Sequence, residues 1–262
     1  MTVFDDYKDR FSHIAMQRSA SGVLEMRLHT DGGPFDVNTG GRTNPQAQLG
    51  DAFALIAADP ENRVVLLTGT GASFSGPRKT LDMFSVGDTQ RWERIRRDGV
   101  RLLMNFMDID APVISCINGP ALRHAELPLL GDIVLADSNA VIQDSAHFTN
   151  RTVPGDGINV VLPMVLGLNR GRHLLLTGKT IDAAELLAAG AVAEVLPPDR
   201  LVARGREIAE EIAGNNPLVI RYTKLVLRRA IRRELQDVLE FSLSLEALAA
   251  VDETARLKEA RR

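Results

Sequence analysis

The sequence predicts an α/β fold with a helical region at its C-terminal end. Strand and helix patterns alternate up to about residue 196, and only helical patterns follow. Two of the strand patterns are unbroken apolar runs, which is typical of strands buried on both faces of a parallel sheet. Alternation of this kind indicates an α/β domain. We therefore expect a core over residues 1–200 and a helical region over 201–262 that packs on the core and on neighbouring subunits.

The strand predictions rest on period-two alternation or on short apolar runs. Residues 23–29 alternate between apolar and polar side chains, which indicates a strand with one buried face. The runs at 64–69 and 112–117 are continuous and apolar. In chain order the predicted strands cover 23–29, 64–69, 112–117, 133–136, 140–142 and 192–196.

The helix predictions rest on apolar residues spaced three and four positions apart, with proline or glycine near the ends. A Gly- and Pro-rich loop over 31–45 precedes the first helix, and a second loop-rich stretch over 69–90 precedes the next. The predicted helices cover about 47–58, 90–107, 122–130, 159–176, 181–189, 201–214 and one or two helices over 217–258.

The composition is that of an ordinary soluble globular protein. Of 262 residues, 45% are hydrophobic and 25% are charged, and the net charge is −3. The arginine-rich stretch 91–101 also carries Glu93 and Asp98, as a solvated helix face does. We therefore expect no nucleic-acid partner.

Cysteine usage and hydropathy point to the cytoplasm. Cys116 is the sole cysteine, so no intrachain disulfide can form, and its apolar neighbours indicate a small buried side chain. The charged first ten residues contain no apolar signal segment. No run approaches the roughly eighteen apolar residues of a membrane span, so we expect no membrane partner.

Most chemistry-bearing motifs are missing from the sequence. No His-x-x-x-His pair occurs and cysteine is solitary, so the spacing predicts no metal site. No serine stands in a Gly-x-Ser-x-Gly elbow. The glycines of 69–76 match neither a dinucleotide fingerprint nor a phosphate-binding loop. We therefore expect no metal and no cofactor.

His147 and Asp156 are the first candidates for catalysis. Nine positions separate them, and Pro154-Gly155 lies between, so the chain can turn back and bring the two side chains together. A carboxylate on one imidazole nitrogen fixes the tautomer, and the other nitrogen can then accept a proton from water. The alternative is a loop histidine that bonds to a neighbour, with Asp156 as a helix cap.

Three further residues are candidates on weaker grounds. His124 follows a buried strand, and α/β proteins bind ligands at the carboxyl ends of parallel strands, but it could also be an exposed loop histidine. Glu126 could be a first-turn helix carboxylate. Glu246 lies within the apolar stretch 243–251, although one polar position on a helix face is also ordinary.

At this point the sequence resembles the crotonase (enoyl-CoA hydratase/isomerase) superfamily over nearly its whole length. Each matching stretch is modest alone, and the five together, in this order, are specific. The stretches are 117–122, 131–136, 152–157, 176–178 and 188–192. The resemblance implies a spiral of stacked ββα units whose C-terminal helices form an oligomerisation region, and hence a homotrimer or a dimer of trimers.

The sequence departs from ordinary hydratases of that superfamily at three places. Arg123-His124-Ala125-Glu126 replaces a glycine-rich turn, and His147 replaces a glutamate seven residues before the Pro-Gly pair. In the usual oxyanion segment, here 75–79, Pro77 has no backbone N–H. These departures speak against thioester chemistry.

The same departures resemble the β-diketone hydrolases of the superfamily, such as 6-oxocamphor hydrolase. That resemblance implies catalytic roles for His147, Asp156, His124 and Glu246, and we expect Glu126, Phe148 and Phe84 to contact substrate. The tryptophan that these hydrolases carry in an early loop has no counterpart, because the only tryptophan is Trp92.

The activity implied is a retro-Claisen hydrolysis that cleaves a cyclic β-diketone to a keto acid with water activated by His147 and Asp156. The alternatives are an acyl-CoA hydratase or hydrolase that uses Glu126 as its acid and base, and a non-catalytic oligomeric scaffold. The scaffold predicts that the histidines can be replaced without loss of function.

Overall fold

The computed structural model of the chain describes residues 2–37, 44–76 and 88–260. Its strands are β1 (Ile14–Arg18), β2 (Val23–Leu28), β3 (Val64–Gly69), β4 (Val113–Ile117), β5 (Ile133–Asp137), β6 (Val141–Ile142), β7 (Ile181–Asp182) and β8 (Glu194–Leu196). Its helices are α1 (Pro45–Ala58), α2 (Thr89–Met107), α3 (Glu126–Leu129), α4 (Ile158–Leu166), α5 (Leu168–Thr177), α6 (Ala183–Ala188), α7 (Pro198–Ala213) and α8 (Pro217–Glu259).

A six-stranded sheet in the order β1-β2-β3-β4-β5-β8 lies at the centre of the molecule. β1 pairs with β2 in antiparallel fashion, and the remaining neighbours are parallel. β6 and β7 form a separate antiparallel pair. The predicted strand at 140–142 therefore does not extend the main sheet, but pairs with a short strand in a stretch that was predicted to be helical.

Helices cover both faces of the sheet, which explains why β3 and β4 are buried at every position. On one face α7 approaches so closely that a Cβ at Gly205 would lie 2.5 Å from the Sγ atom of Cys116. On the other face α1 and α2 meet, with the rings of Phe53 and Phe106 packed edge to face at 5.0 Å. The predicted division at residue 200 falls within α7, and the division into two regions stays a prediction.

Asn118, directly after β4, joins the loops that follow β3 and β4. Its Oδ1 atom accepts from the backbone N–H of Gly69 at 2.8 Å, and its Nδ2 atom donates to the carbonyl of Gly71 at 2.9 Å. The Ser75 hydroxyl, from the same first loop, donates to the carbonyl of Arg123. These bonds fix the turn that carries His124 at the carboxyl edge of the sheet.

Two predicted helices are shorter in the structure. The pattern over 159–176 is divided between α4 and α5 at Gly167, whose φ of 82° is outside the helical region. The pattern over 122–130 gives a helix only from Glu126, because His124 has a left-handed φ of 49° that a right-handed helix cannot contain.

The predicted helical stretch over 217–258 is a single helix, α8. Pro217 occupies its first position, and the Asn216 side chain caps it by accepting from the N–H of Leu218. Near this end the buried Lys224 donates to Asp132 at 2.5 Å. Across the described ranges, no helix combines the length and the apolar character needed to cross a membrane.

Candidate active site

Two histidines and four carboxylates meet at one place in the structure. The turn after β4 supplies His124, the start of α3 supplies Glu126, and the segment after β6 supplies Asp144 and His147. Asp156 precedes α4, and Glu246 comes from α8. Segments separated by more than a hundred residues in sequence therefore form one site.

His147 is buried and has a carboxylate on each side of its ring. Its Nδ1 atom lies 2.7 Å from Oδ1 of Asp144. Its Nε2 atom lies 3.3 Å from Oε1 of Glu246 and 3.6 Å from Oδ2 of Asp156. The first distance is that of a strong, charge-assisted hydrogen bond, and the other two are longer than ordinary hydrogen bonds.

His124 is paired in a similar way. Its Nδ1 atom lies 2.7 Å from Oε1 of Glu126 and 3.6 Å from Oδ2 of Asp156. Its backbone is left-handed, a conformation that is uncommon outside glycine and that often occurs at functional sites. The ring faces into the site, where it contacts Glu126 and Asp156.

Asp156 lies between the two histidines. Its Oδ2 atom is 3.6 Å from a ring nitrogen of each, and 13% of its side chain is exposed, as is 14% of that of His124. The other two groups near it, His147 and Glu246, are almost fully buried. A molecule that enters from solvent therefore meets Asp156 and His124 first.

The structure brings together the four residues predicted to be catalytic, but it changes the pairing. The prediction gave Asp156 the task of fixing the tautomer of His147; Asp144 instead holds Nδ1, and Asp156 faces Nε2. The signal in the sequence was the spacing of Asp144 three positions before His147. Their bond depends on the turn between them, which the sequence alone did not reveal.

The structure describes two of the three residues that were predicted to contact substrate. Glu126 is only 1% exposed and its carboxylate is bound to His124, so it acts on that histidine rather than on a ligand directly. Phe148 starts a 3₁₀ turn and is 48% exposed, and its substrate contact stays a prediction. Phe84 lies outside the described residues.

The carboxylates raise the pKa of both histidines. Burial alone lowers the pKa of His147, but the charges of Asp156, Glu246 and Asp144 outweigh burial and place this pKa well above 6.5. Burial likewise lowers the pKa of His124, and the charge and hydrogen bond of Glu126 raise it above its usual value.

The carboxylates themselves are shifted in two directions. Burial, together with the charge of Asp156, raises the pKa of Glu126 to about 7. Burial also raises the pKa of Glu246. Burial raises the pKa of Asp144 as well, but the charge and hydrogen bond of His147 outweigh it, so the pKa of Asp144 is lowered and this carboxylate is ionised.

Arg123 is a buried cation next to the site that the sequence did not single out. Burial lowers the pKa of its guanidinium, and the nearby charges of Asp156 and Asp144 oppose that effect. A guanidinium stays protonated in proteins, so Arg123 offsets part of the negative charge of the four carboxylates.

One trio of described residues has the geometry of a cation site. Ligand atoms of His124, Glu126 and Asp156 lie within 4.8 Å of one another. However, the Nδ1 atom that faces Glu126 is engaged in a 2.7 Å hydrogen bond, which a metal would have to replace. The arrangement is better suited to proton transfer, because each histidine has its own carboxylate.

Comparison with known proteins places the chain in the enoyl-CoA hydratase/isomerase family. Residues 20–260 match the enoyl-CoA hydratase/isomerase family. A relative from Thermus thermophilus, provisionally named an enoyl-CoA hydratase, is 32% identical to this chain. The aligned region spans 78% of this chain and 80% of the relative. The carnitinyl-CoA dehydratase of Citrobacter koseri is 31% identical and covers 72% of each chain.

Solved structures share the same architecture. A β-diketone hydrolase from the cyanobacterium Anabaena, bound to (S)-3-oxocyclohexyl acetic acid, has a TM-score of 0.89 and 35% identity, and covers 94% of this chain and 97% of its own. An enoyl-CoA hydratase/isomerase from Mycobacterium paratuberculosis has a TM-score of 0.83 and 24% identity, covering 97% and 100%. The latter likeness concerns the fold alone.

Proposed function

The chain belongs to the enoyl-CoA hydratase/isomerase family and has the crotonase fold, as predicted, and we propose that within this family it hydrolyses a carbon–carbon bond of a cyclic β-diketone. The observation that carries the proposal is the pair of histidines with their own carboxylates, facing each other across Asp156. One pair can act as a base towards water while the other donates to an oxyanion.

The reaction begins with a water molecule near Nε2 of His147, between Asp156 and Glu246. The neutral form of His147 takes a proton from water as the hydroxyl oxygen bonds to one carbonyl carbon of the diketone. His124 donates to the alkoxide that forms, in the position that backbone amides serve in an oxyanion hole.

The tetrahedral intermediate then breaks the bond between the former carbonyl carbon and the carbon between the two ketones. The bonding electrons pass to that carbon and its remaining carbonyl as an enolate. The enolate carbon takes up a proton, which the imidazolium of His147 can return, and the former carbonyl carbon becomes the carboxylic acid group of the same molecule. The sum is one water and one diketone to one keto acid, and no cofactor takes part.

Two observations support this class of substrate. The Anabaena enzyme with 35% identity is a β-diketone hydrolase, and its bound (S)-3-oxocyclohexyl acetic acid is a keto acid, the type of product that the scheme above yields. In addition, His147 and His124 each have a carboxylate at hydrogen-bond distance, so one ring can accept a proton from water while the other donates to a carbonyl oxygen.

Hydration or hydrolysis of an acyl-CoA is the second candidate, because the curated relatives carry CoA-related names. In that scheme Glu126 would be the acid and base. Its carboxylate is buried and bound to His124, so it would reach a thioester only after that hydrogen bond is broken. This cost places the thioester reaction second.

The test is turnover of a panel of cyclic 1,3-diketones, followed by ultraviolet absorbance and by detection of the keto acid. The variant His147→Ala should lose about 10²- to 10⁴-fold in kcat, the usual contribution of a general base. His124→Ala should lose about 10²- to 10³-fold, as when one oxyanion donor is removed.

His173, an exposed histidine on α5, provides a matched control. His173→Ala should keep wild-type turnover. If His147→Ala turns over diketones at the wild-type rate, the assignment is wrong. Thermal stabilisation by an acyl-CoA, with no turnover of any diketone, would instead favour the thioester reaction.

A further inference from the structure

We propose that Asp144 is the positioning residue of the site: it fixes the tautomer and the ring orientation of His147 so that Nε2 faces the reacting water. That the water attacks a diketone rests on the proposed function, whereas the tautomer assigned to His147 does not. The side chain of Asp144 is buried against His147, so its effect passes through that histidine.

The contact between the side chains of Asp144 and His147 is short and buried. Oδ1 of Asp144 lies 2.7 Å from Nδ1 of His147, and each side chain is only 4% exposed. The same oxygen accepts from the backbone N–H of Ala146 at 3.2 Å. An acceptor with a backbone donor on one side accepts from the ring on the other, so Nδ1 carries the hydrogen.

Hydrogen bonds also fix the backbone of the segment that carries both residues. The Nδ2 atom of Asn150 donates to the carbonyl oxygens of Ser145 at 2.7 Å and Ala146 at 2.9 Å. The Ser145 hydroxyl donates to the carbonyl of Leu122. Asp144 and His147 therefore sit on a turn whose backbone is fixed from both sides, as a positioning pair requires.

Asp156 cannot perform this task from its place in the structure. It lies on the Nε2 side of His147, at 3.6 Å, and at the same distance from Nδ1 of His124. Its partial exposure allows it to contact an incoming water or ketone. With Nδ1 held by Asp144, Asp156 is left to face the reacting molecules together with Nε2.

The decisive experiment records the ring nitrogens of His147 by NMR in the intact protein, with the signal assigned by its loss in His147→Gln. In the wild-type protein above the pKa of His147 we expect the Nδ1–H tautomer. Asp144→Asn replaces the carboxylate with a nearly isosteric amide, which can also donate to the ring and so no longer selects one tautomer. We expect the Nδ1–H population to fall and kcat to drop by about 10²- to 10⁴-fold, with KM little changed.

The matched comparison is Asp156→Asn, which should slow turnover but leave His147 in the Nδ1–H tautomer. Asp59→Asn is the control for replacing a buried carboxylate with an amide. Asp59 precedes β3 in the chain and pairs with Arg18, at the opposite edge of the sheet from the site. Asp59→Asn should leave the nitrogen shifts of His147 unchanged, and thermal melting confirms that each variant is folded.

The outcomes separate the two proposals. Unchanged His147 shifts in a folded Asp144→Asn protein would overturn the positioning role, as would a tautomer change found in Asp156→Asn instead. If the wild-type protein hydrolyses no diketone but Asp144→Asn alters the tautomer, the positioning role stands and the proposed function fails.

Discussion

His147 has carboxylate oxygens facing both of its ring nitrogens, at 2.7 Å from Asp144 and 3.3 Å from Glu246. A neutral imidazole has one N–H and would leave a lone pair opposite one carboxylate, so the resting site holds an extra proton at this position. Burial acts against that proton, but the charges of Asp156, Glu246 and Asp144 outweigh it and raise the pKa of His147 well above 6.5. The base form thus becomes populated only as pH rises.

This proton gives the activity a predictable pH dependence. We expect kcat/KM for a diketone to increase with pH through an apparent pKa above 6.5, because only deprotonated His147 accepts a proton from water. Glu246→Gln removes a negative charge beside Nε2, destabilises the imidazolium and should move this limb to lower pH. The measurement is the pH profile of both proteins, and a limb that moves to higher pH in the variant would contradict the assignment.

At the scale of the element, α8 connects the sheet to the site. Near its start Lys224 is buried against Asp132, which also accepts from the N–H of Val113 at 2.7 Å. Further along, the Ser242 hydroxyl donates to the carbonyl of Gly155 at 3.0 Å, next to Asp156. The position of Glu246 relative to His147 therefore depends on how α8 docks.

Removing the contact between Lys224 and Asp132 should weaken the packing of α8. Lys224→Ala removes a hydrogen bond between charged groups, which is worth about 1.5–3 kcal/mol of the free energy of unfolding, and leaves Asp132 without that partner. Urea denaturation measures the loss. Lys258→Ala, in the last turn of the same helix, is the control and should change the free energy of unfolding little. An equal loss in both variants would show that the Lys224–Asp132 contact makes no specific contribution to stability.

The sequence predicted the sheet and most helices because apolar runs and helical spacing are local signals. It could not predict that His124 would adopt a left-handed backbone, which shortens the helix expected over 122–130. It placed His147 near Asp156, since Pro154-Gly155 must turn the chain. It did not give Asp144 a role, and it assigned Glu126 to substrate rather than to His124, because both carboxylate–histidine bonds depend on side-chain directions within turns.

At the scale of the whole molecule, α8 is the longest of the described helices. Its 43 residues extend about 65 Å at 1.5 Å per residue. A compact chain of 262 residues has a radius of gyration of about 18 Å. Part of the apolar surface of α8 is exposed to solvent in a single copy of the chain.

One group of exposed apolar side chains lies in the first turns of α8. Leu218, Val219, Tyr222, Val226 and Leu227 are each more than half exposed, and with Thr223 they line a shallow cavity of about 440 Å³. Large exposed apolar patches mark interaction surfaces. Together with the homotrimer or dimer of trimers implied by the sequence, this patch is the surface that we expect a second copy of the chain to cover.

A charge placed within this patch should therefore weaken self-association. Val226→Asp puts a carboxylate where a neighbouring subunit would exclude water, and an unpaired buried charge is strongly unfavourable. We expect light scattering after size exclusion to give a multiple of three chains for the wild type and a smaller species for the variant. Ala260→Asp adds the same charge at the far, exposed end of α8 and should keep the wild-type mass. If Val226→Asp also keeps it, contacts elsewhere hold the assembly together, and if the wild type is monomeric, the apolar patch has another role.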